Sequence, residues 1–284
     1  MAIMGLKKTY ILLIGVIFLT ACLKELDYSG AIRSTDRVNE RFSQSVQWNK
    51  LNNTRVINLD TDNYNLLLAA DIHIGGTINF KKLLSNAKMP GISALIIDGD
   101  ITTGNKADYD ILEQLIKEAD SVRSFLVAGN HDLYYDGWPI FYSFFGSSTY
   151  TITVKTPSDS DLYICLDTGS GTLGDKQLDW LRDLLQNHRK SYRNCVVVTH
   201  NNFFRNTIEI STNPLIEELY VLLDLFAKNQ VNLVITGHEH QRFDEVFGPT
   251  TYITLDALKD GLNNASYLKL SVVDGKLAYK FINI

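Results

Sequence analysis

The chain has 284 residues, of which 45% are hydrophobic and 21% charged, enough to bury the core of one ordinary domain or at most two small ones. A disordered chain is not expected from that composition. The formal net charge of −5 argues against a polyanionic partner, because gripping a phosphate backbone takes a basic footprint; no nucleic acid is expected.

At the N-terminus, Lys7 and Lys8 precede an apolar run from Tyr10 to Ala21. This is the layout of a secretory signal peptide, and the run is short for a membrane-spanning helix. Leu19-Thr20-Ala21-Cys22 resembles a bacterial lipobox, which implies cleavage before Cys22 and acylation of that cysteine; the alternative is a short membrane helix with an incidental cysteine. Residues 1–21 are thus expected to be a lipoprotein signal, 22–34 a polar tether and 35–284 the folded domain, exported and membrane-anchored through lipidated Cys22. Losing the signal with its two lysines moves the net charge from −5 to −7. Val38, Phe42 and Val46 then recur every four residues behind a Ser/Thr/Asp cluster, predicting a short capped helix.

From there apolar strand-like runs alternate with helical segments. The runs are 64–73, 93–100, 124–131, 195–200 and 232–240, and helix-period residues fill "DYDILEQLIKEAD", "DKQLDWLRDLLQNH" and "PLIEELYVLLDLFAKN". Strands that are apolar throughout and separated by helices predict a sheet covered on both faces. Further strands are expected in "STYTITVK", "DLYICLDT", "TTYITLDALK" and a C-terminal hairpin closed by Asp274-Gly275. The fold class is therefore α/β, with sheets packed as a sandwich and helices outside. Cys165 and Cys195 sit in apolar runs and read as buried thiols, with a disulfide between them left open.

The five buried runs end in Asp71-Ile72-His73, Gly99-Asp100, Gly129-Asn130-His131-Asp132, Thr199-His200 and Gly237-His238-Glu239-His240. Ligands of open α/β sheets collect beyond the carboxyl ends of the strands, and five of the six histidines lie at these ends. The sixth, His188, closes a helix and reads as a solvated end residue. Period-two pleating puts Asp71 with His73, and His238 with His240, on common faces. Imidazole with carboxylate and amide oxygen, and no thiolate, points to a two-metal centre of Zn, Mn or Fe with one bridging carboxylate. Asp98 shares a face with Asp100 and is either an outer support or a plain strand-end residue. "GSGTLG" (169–174) has the spacing of a dinucleotide-binding loop, but the following run ends in His200 where an acidic residue is needed, and no lysine follows Gly174.

In this order the five motifs resemble the calcineurin-like metallophosphoesterase family. The resemblance implies a four-layer αββα sandwich of two mixed sheets. It also implies a first metal on Asp71, His73 and His240, a second on Asn130, His200 and His238, and Asp100 bridging both. His131 would be catalytic, with Asp132 orienting its imidazole. Activity would be hydrolysis of a small-molecule phosphate mono- or diester by a hydroxide that two divalent metal ions (Mn, Fe or Zn) activate. The alternatives are a nucleotide or nucleotide-sugar pyrophosphate hydrolase and a non-catalytic metal-containing binding lipoprotein. Two departures stand out. Thr103 occupies the position of the iron-binding tyrosine of the purple acid phosphatase branch, and Asn201-Asn202-Phe203 lacks the proline many relatives carry there. The aromatic stretch 132–146 either lines a substrate pocket or packs a loop on the sandwich.

Overall fold

Alternate residues along each central strand enter different cores, and this alternation builds the layers. In a computed structural model the chain is described over residues 36–52, 55–204 and 212–284. The expected signal peptide and tether lie outside them. The first elements are α1 (Val38–Leu51), β1 (Val56–Asn58), β2 (Tyr64–Ala69), α2 (Ile78–Ala87), β3 (Ile92–Asp98), α3 (Lys106–Glu118) and β4 (Ser124–Val127). A 3-10 stretch, His131–Asp136, leads into α4 (Gly137–Phe145), followed by β5 (Tyr150–Lys155), β6 (Ser160–Leu166), α5 (Gly174–His188) and β7 (Cys195–Thr199). The chain ends with α6 (Ile216–Lys228), β8 (Leu233–Thr236), β9 (Phe243–Phe247), β10 (Thr250–Thr254), β11 (Ser266–Val273) and β12 (Lys276–Asn283).

These strands form a seven-stranded sheet, β1-β5-β6-β7-β8-β10-β9, and a five-stranded sheet, β12-β11-β2-β3-β4. Both are mixed: β2, β3 and β4 run parallel, as do β6, β7, β8 and β10, whereas β5, β9, β11 and β12 pair antiparallel with a neighbour. Leu66, Leu68, Ala94 and Ile96 of one sheet meet Tyr163, Cys165, Val196 and Val198 of the other in a shared core. Their alternates, Leu67, Ala69, Leu95 and Ile97, pack against α2, α3 and α4. On the far side Leu162, Ile164 and Val197 pack against α5 and α6. The result is helix, sheet, sheet, helix, and both faces of the central strands are dry, hence their unbroken apolar runs. Cys165 and Cys195 are buried free thiols. Asp274 and Gly275 both have positive φ (+49° and +78°) between paired Val273 and Lys276, a type I′ hairpin. No helix among the described residues is long and apolar enough to cross a membrane.

Helix α1 differs from its expected face. Phe42 is buried, but its buried companions are Arg41 and Ser45, while Val38 and Val46 are half-buried. Its first turn is closed by Arg37 N donating to Glu40 Oε2 at 2.8 Å. Arg41 sets the rotation: its guanidinium donates to both carboxylate oxygens of Asp167, just past β6, at 2.7 and 3.1 Å, and to Ser170 Oγ at 3.0 Å. Arg41 and Asp167 are each 1% exposed. Removing one member of such a pair strands the other charge in the interior, so Arg41→Met should cost about 3–5 kcal/mol of stability in urea unfolding. A loss below about 1 kcal/mol would show that the pair does not hold α1 in place.

Candidate metal centre

The parallel strands deliver their last residues to one edge of the sandwich, but the site side chains lie beyond the strands. β2 stops at Ala69, β3 at Asp98 and β8 at Thr236. Asp71, His73, Asp100, His238 and His240 all adopt positive φ, between +46° and +73°, and are five of the nine such non-glycine residues among those described. Pleating therefore does not aim them; left-handed backbone does, at a cost of order 1–3 kcal/mol for each residue. Backbone bonds hold the turns together, with Asp71 N donating to Gly99 O at 3.1 Å, His73 N to Asp100 O at 2.9 Å and Gly237 N to His200 O at 3.0 Å. Gly129 is required by proximity: a Cβ there would run into Asp100 N and Oδ1.

Two groups of donor atoms result, each within a 4.8 Å span: Asp71, His73, Asp100 and His240, and Asp100, His200 and His238. Asp100 belongs to both. His240 Nε2 lies 3.2 Å from Asp71 Oδ1, His73 Nε2 lies 3.3 Å from His240 Nε2, and His200 Nε2 lies 3.2 Å from Asp100 Oδ2. Metal bonds of about 2.1 Å separate neighbouring donors by about 3.0–3.4 Å, so these spacings suit a cation. Asp71 Oδ1, Asn130 Oδ1 and His200 Nε2 are buried with no hydrogen-bond partner, a loss a bound cation would offset. The tautomers agree. His200 Nδ1 donates to the Asp98 carbonyl at 2.8 Å, leaving Nε2 for the cation, and His238 Nε2 donates to the Thr212 carbonyl at 2.9 Å, leaving Nδ1. The residues present fit two metal ions.

Charge is balanced locally. Burial alone would raise the pKa of Asp100, but His200, His131 and His73 hold it below the ordinary carboxylate range. Burial works against charge on His200, yet Asp100 and Asp71 beside it keep its pKa well above the usual value. Hydrogen bonding to Asp71 raises His240, whereas burial takes His73 down to about 4. His131 is half-buried, its pKa lowered by burial, with Nε2 3.9 Å from Asp100 Oδ2 and its ring edge-on to His73 at 4.7 Å.

Asp132 departs from its expected part as orienter of His131. Its carboxylate accepts from Thr102 N at 2.8 Å, Thr102 Oγ1 at 2.9 Å, Gly129 N at 2.9 Å and Ile101 N at 3.2 Å, which ties the β3 and β4 turns together. Asp98, unassigned from sequence, is buried with neither carboxylate oxygen hydrogen-bonded, and burial pushes its pKa up to about 8. Thr103 donates its hydroxyl to Asp108. The "GSGTLG" loop is held instead by Arg41 and by Glu218, whose Oε2 accepts from Leu173 N at 2.9 Å.

Ligation requires neutral imidazole, so metal loading must strip protons from His200 and His240, both held above the ordinary histidine range. Mn²⁺ binding by calorimetry is expected to release protons at pH 7, with apparent affinity tightening from pH 6 to 8. Affinity independent of pH over that interval would contradict the protonated resting state.

The sequence signature of calcineurin-like phosphoesterases matches residues 64–242. Among solved structures, a dimetal phosphatase from Danio rerio superimposes with a TM-score of 0.63 at 13% identity, covering 77% of this chain and 95% of that one. A purple acid phosphatase from yellow lupin, Lupinus luteus, gives 0.60 at 14% identity over 79% of this chain and 52% of the other, so this chain spans about half of that protein. The anchor protein of the Plasmodium inner membrane complex gives 0.59 at 14% identity, covering 78% and 85% of the two chains. At such identities the likeness is one of fold. No sequence match is found among curated proteins. Since the signature spans most of the chain and encloses every candidate ligand from Asp71 to His240, the chain belongs to the calcineurin-like phosphoesterase family of metal-dependent phosphoester hydrolases.

Proposed function

We propose that this chain is an exported, lipid-anchored phosphoesterase that hydrolyses small phosphate mono- or diesters at a dinuclear centre. The observation that carries the reading is the Asp100 carboxylate common to two donor groups, with Asp71 Oδ1, Asn130 Oδ1 and His200 Nε2 left open beside it. Asp71, His73 and His240 would hold one divalent ion, Asn130, His200 and His238 the other, and Asp100 both. Such a pair of ions supplies a water of lowered pKa and positive charge for the phosphoryl oxygens. His131 faces the same space from the more open side and would give a hydrogen bond or proton to the departing oxygen. Asp132 then acts through the backbone, fixing the turn that carries Asn130 and His131.

The nucleotide-cleaving alternative requires an exposed aromatic ring in the stretch after His131 on which a base could stack. Trp138 and Phe141 are buried and Phe144 and Phe145 pack on the core beneath α4, whereas Tyr135 is 63% exposed and Tyr134 half-buried. Most of the stretch therefore packs helix α4, and Tyr135 is the exposed ring on which a base could stack.

The purified chain with added Mn²⁺ is expected to hydrolyse nitrophenyl phosphate or bis-nitrophenyl phosphate, and Asp100→Asn or His238→Ala to abolish turnover without changing circular dichroism. Metal-loaded protein inert across a broad phosphate panel would point to a binding lipoprotein instead. For the anchor, Cys22→Ala should move the protein from the membrane fraction to the soluble one; unchanged membrane retention would exclude acylation at that position.

A further inference from the structure

The segment after His131 makes contacts that metal ligation does not explain. Its 3-10 stretch is broken at Tyr134 (φ −63°, ψ 154°) and Tyr135 (φ +52°), and Asp136 follows at φ +60°. The break is wedged from behind, because a Cβ at Gly104 would strike the Tyr134 carbonyl and one at Gly137 the Asp132 carbonyl. Consecutive left-handed residues without glycine are costly and persist where the surroundings over-determine them. Beside this break the Tyr134 ring lies 4.5 Å from the His131 ring, and its phenol oxygen lies 3.2 Å from Asn130 Nδ2.

The direction of that last bond decides where a proton is free. An amide can ligate a cation only through its oxygen, and Asn130 Oδ1 is buried without a hydrogen-bond partner. Nδ2 must then face Tyr134 and donate to it. The phenol oxygen accepts, and its own O–H has no acceptor among the described residues. If the phenol donated instead, the amide would be turned with nitrogen towards the cation, which cannot be ligated that way. Ligation by Asn130 and a free phenolic proton are thus two sides of one arrangement.

We propose that Tyr134 belongs to the site in two capacities: it positions the Asn130 amide for ligation, and its O–H donates a hydrogen bond to a phosphoryl oxygen of the bound ester. The second capacity rests on the phosphoesterase reading; the first does not. Tyr134→Phe keeps the ring against His131 and removes only the hydroxyl. In the full chain this change is expected to weaken Mn²⁺ binding at one of the two sites by about tenfold or more in calorimetric titration. At saturating Mn²⁺ it should also lower kcat/KM on bis-nitrophenyl phosphate by about tenfold, mainly through kcat. Wild-type Mn²⁺ affinity in the variant overturns the positioning role, and wild-type kcat/KM at saturating metal overturns the donor role. Should the unaltered protein cleave no phosphate ester, the phosphoesterase reading fails on its own, while the Mn²⁺ titration still decides whether Tyr134 positions Asn130.

Discussion

The site depends on two carboxylates, Asp71 and Asp100, that each divide their oxygens between backbone and open space. Asp71 Oδ2 accepts from His238 N at 2.9 Å, joining the turn after β2 to the turn after β8, and leaves Oδ1 to the imidazoles. Asp100 Oδ1 accepts from His131 N at 2.7 Å, joining the β3 turn to the β4 turn, and leaves Oδ2 beside His200. Asp132 spends both oxygens on backbone and side-chain donors. A charge-assisted bond to a backbone amide is worth more than a neutral one, and more still where water is excluded. The same acids that offer oxygen to a cation thus weld the strand ends into a rigid frame.

Left-handed backbone follows from that welding. A chain leaving a parallel strand in extended form would carry its next side chains up or down from the sheet, towards a packed layer on either side. Turning through positive φ at Asp71, Asp100 and His238 brings them into the gap between neighbouring strand ends. Asp, Asn and His tolerate this region better than bulkier residues do, and they are also the residues a cation needs. The frame and the ligand set therefore ask for the same side chains, and the dry two-sheet core beneath supplies the stability to meet the conformational cost.

This explains what was legible in the sequence and what was not. Sandwich, layers and hairpin could be read because apolar runs and Asp274-Gly275 report burial and turn type directly. The five strand-end motifs could be read because residue type marks them, but backbone rather than pleating aims them: His238 and His240 stand at φ of +73° and +57°, beyond the end of β8 at Thr236. The carboxylate of Asp132 bonds to Ile101 and Thr102 in the turn after β3, about thirty residues earlier, as well as to Gly129 in its own turn, a tie that its adjacency to His131 in sequence does not reveal. Helix α4, "GWPIFYSFF", is apolar on nearly every side and dense in aromatics, so it passes for a loop or pocket wall. In α1 the alternation of valines hid Arg41, whose burial follows from Asp167, 126 residues away.

Asp98 shows how far the frame reaches inward. Its side chain shares the parity of Ala94 and Ile96, which face the opposing sheet, so a carboxyl group sits in the dry layer beneath Asp100 with neither oxygen hydrogen-bonded. Burial raises its pKa to about 8, which keeps it neutral at pH 7 and limits the penalty to that of an unpaired polar group. Its main-chain carbonyl, however, receives Nδ1 of His200, so the residue that fixes this imidazole acts through an atom any side chain would leave in place. An ionised Asp98 would add a third negative charge next to Asp71 and Asp100; a neutral one leaves the field of the site to those two. Asp71, Asp98 and Asp100 are equally buried, at 0%, 0% and 1% exposed, so neighbours rather than depth set their states: imidazoles face Asp71 and Asp100, whose backbone turns left-handed, and no hydrogen bond reaches the Asp98 carboxyl group.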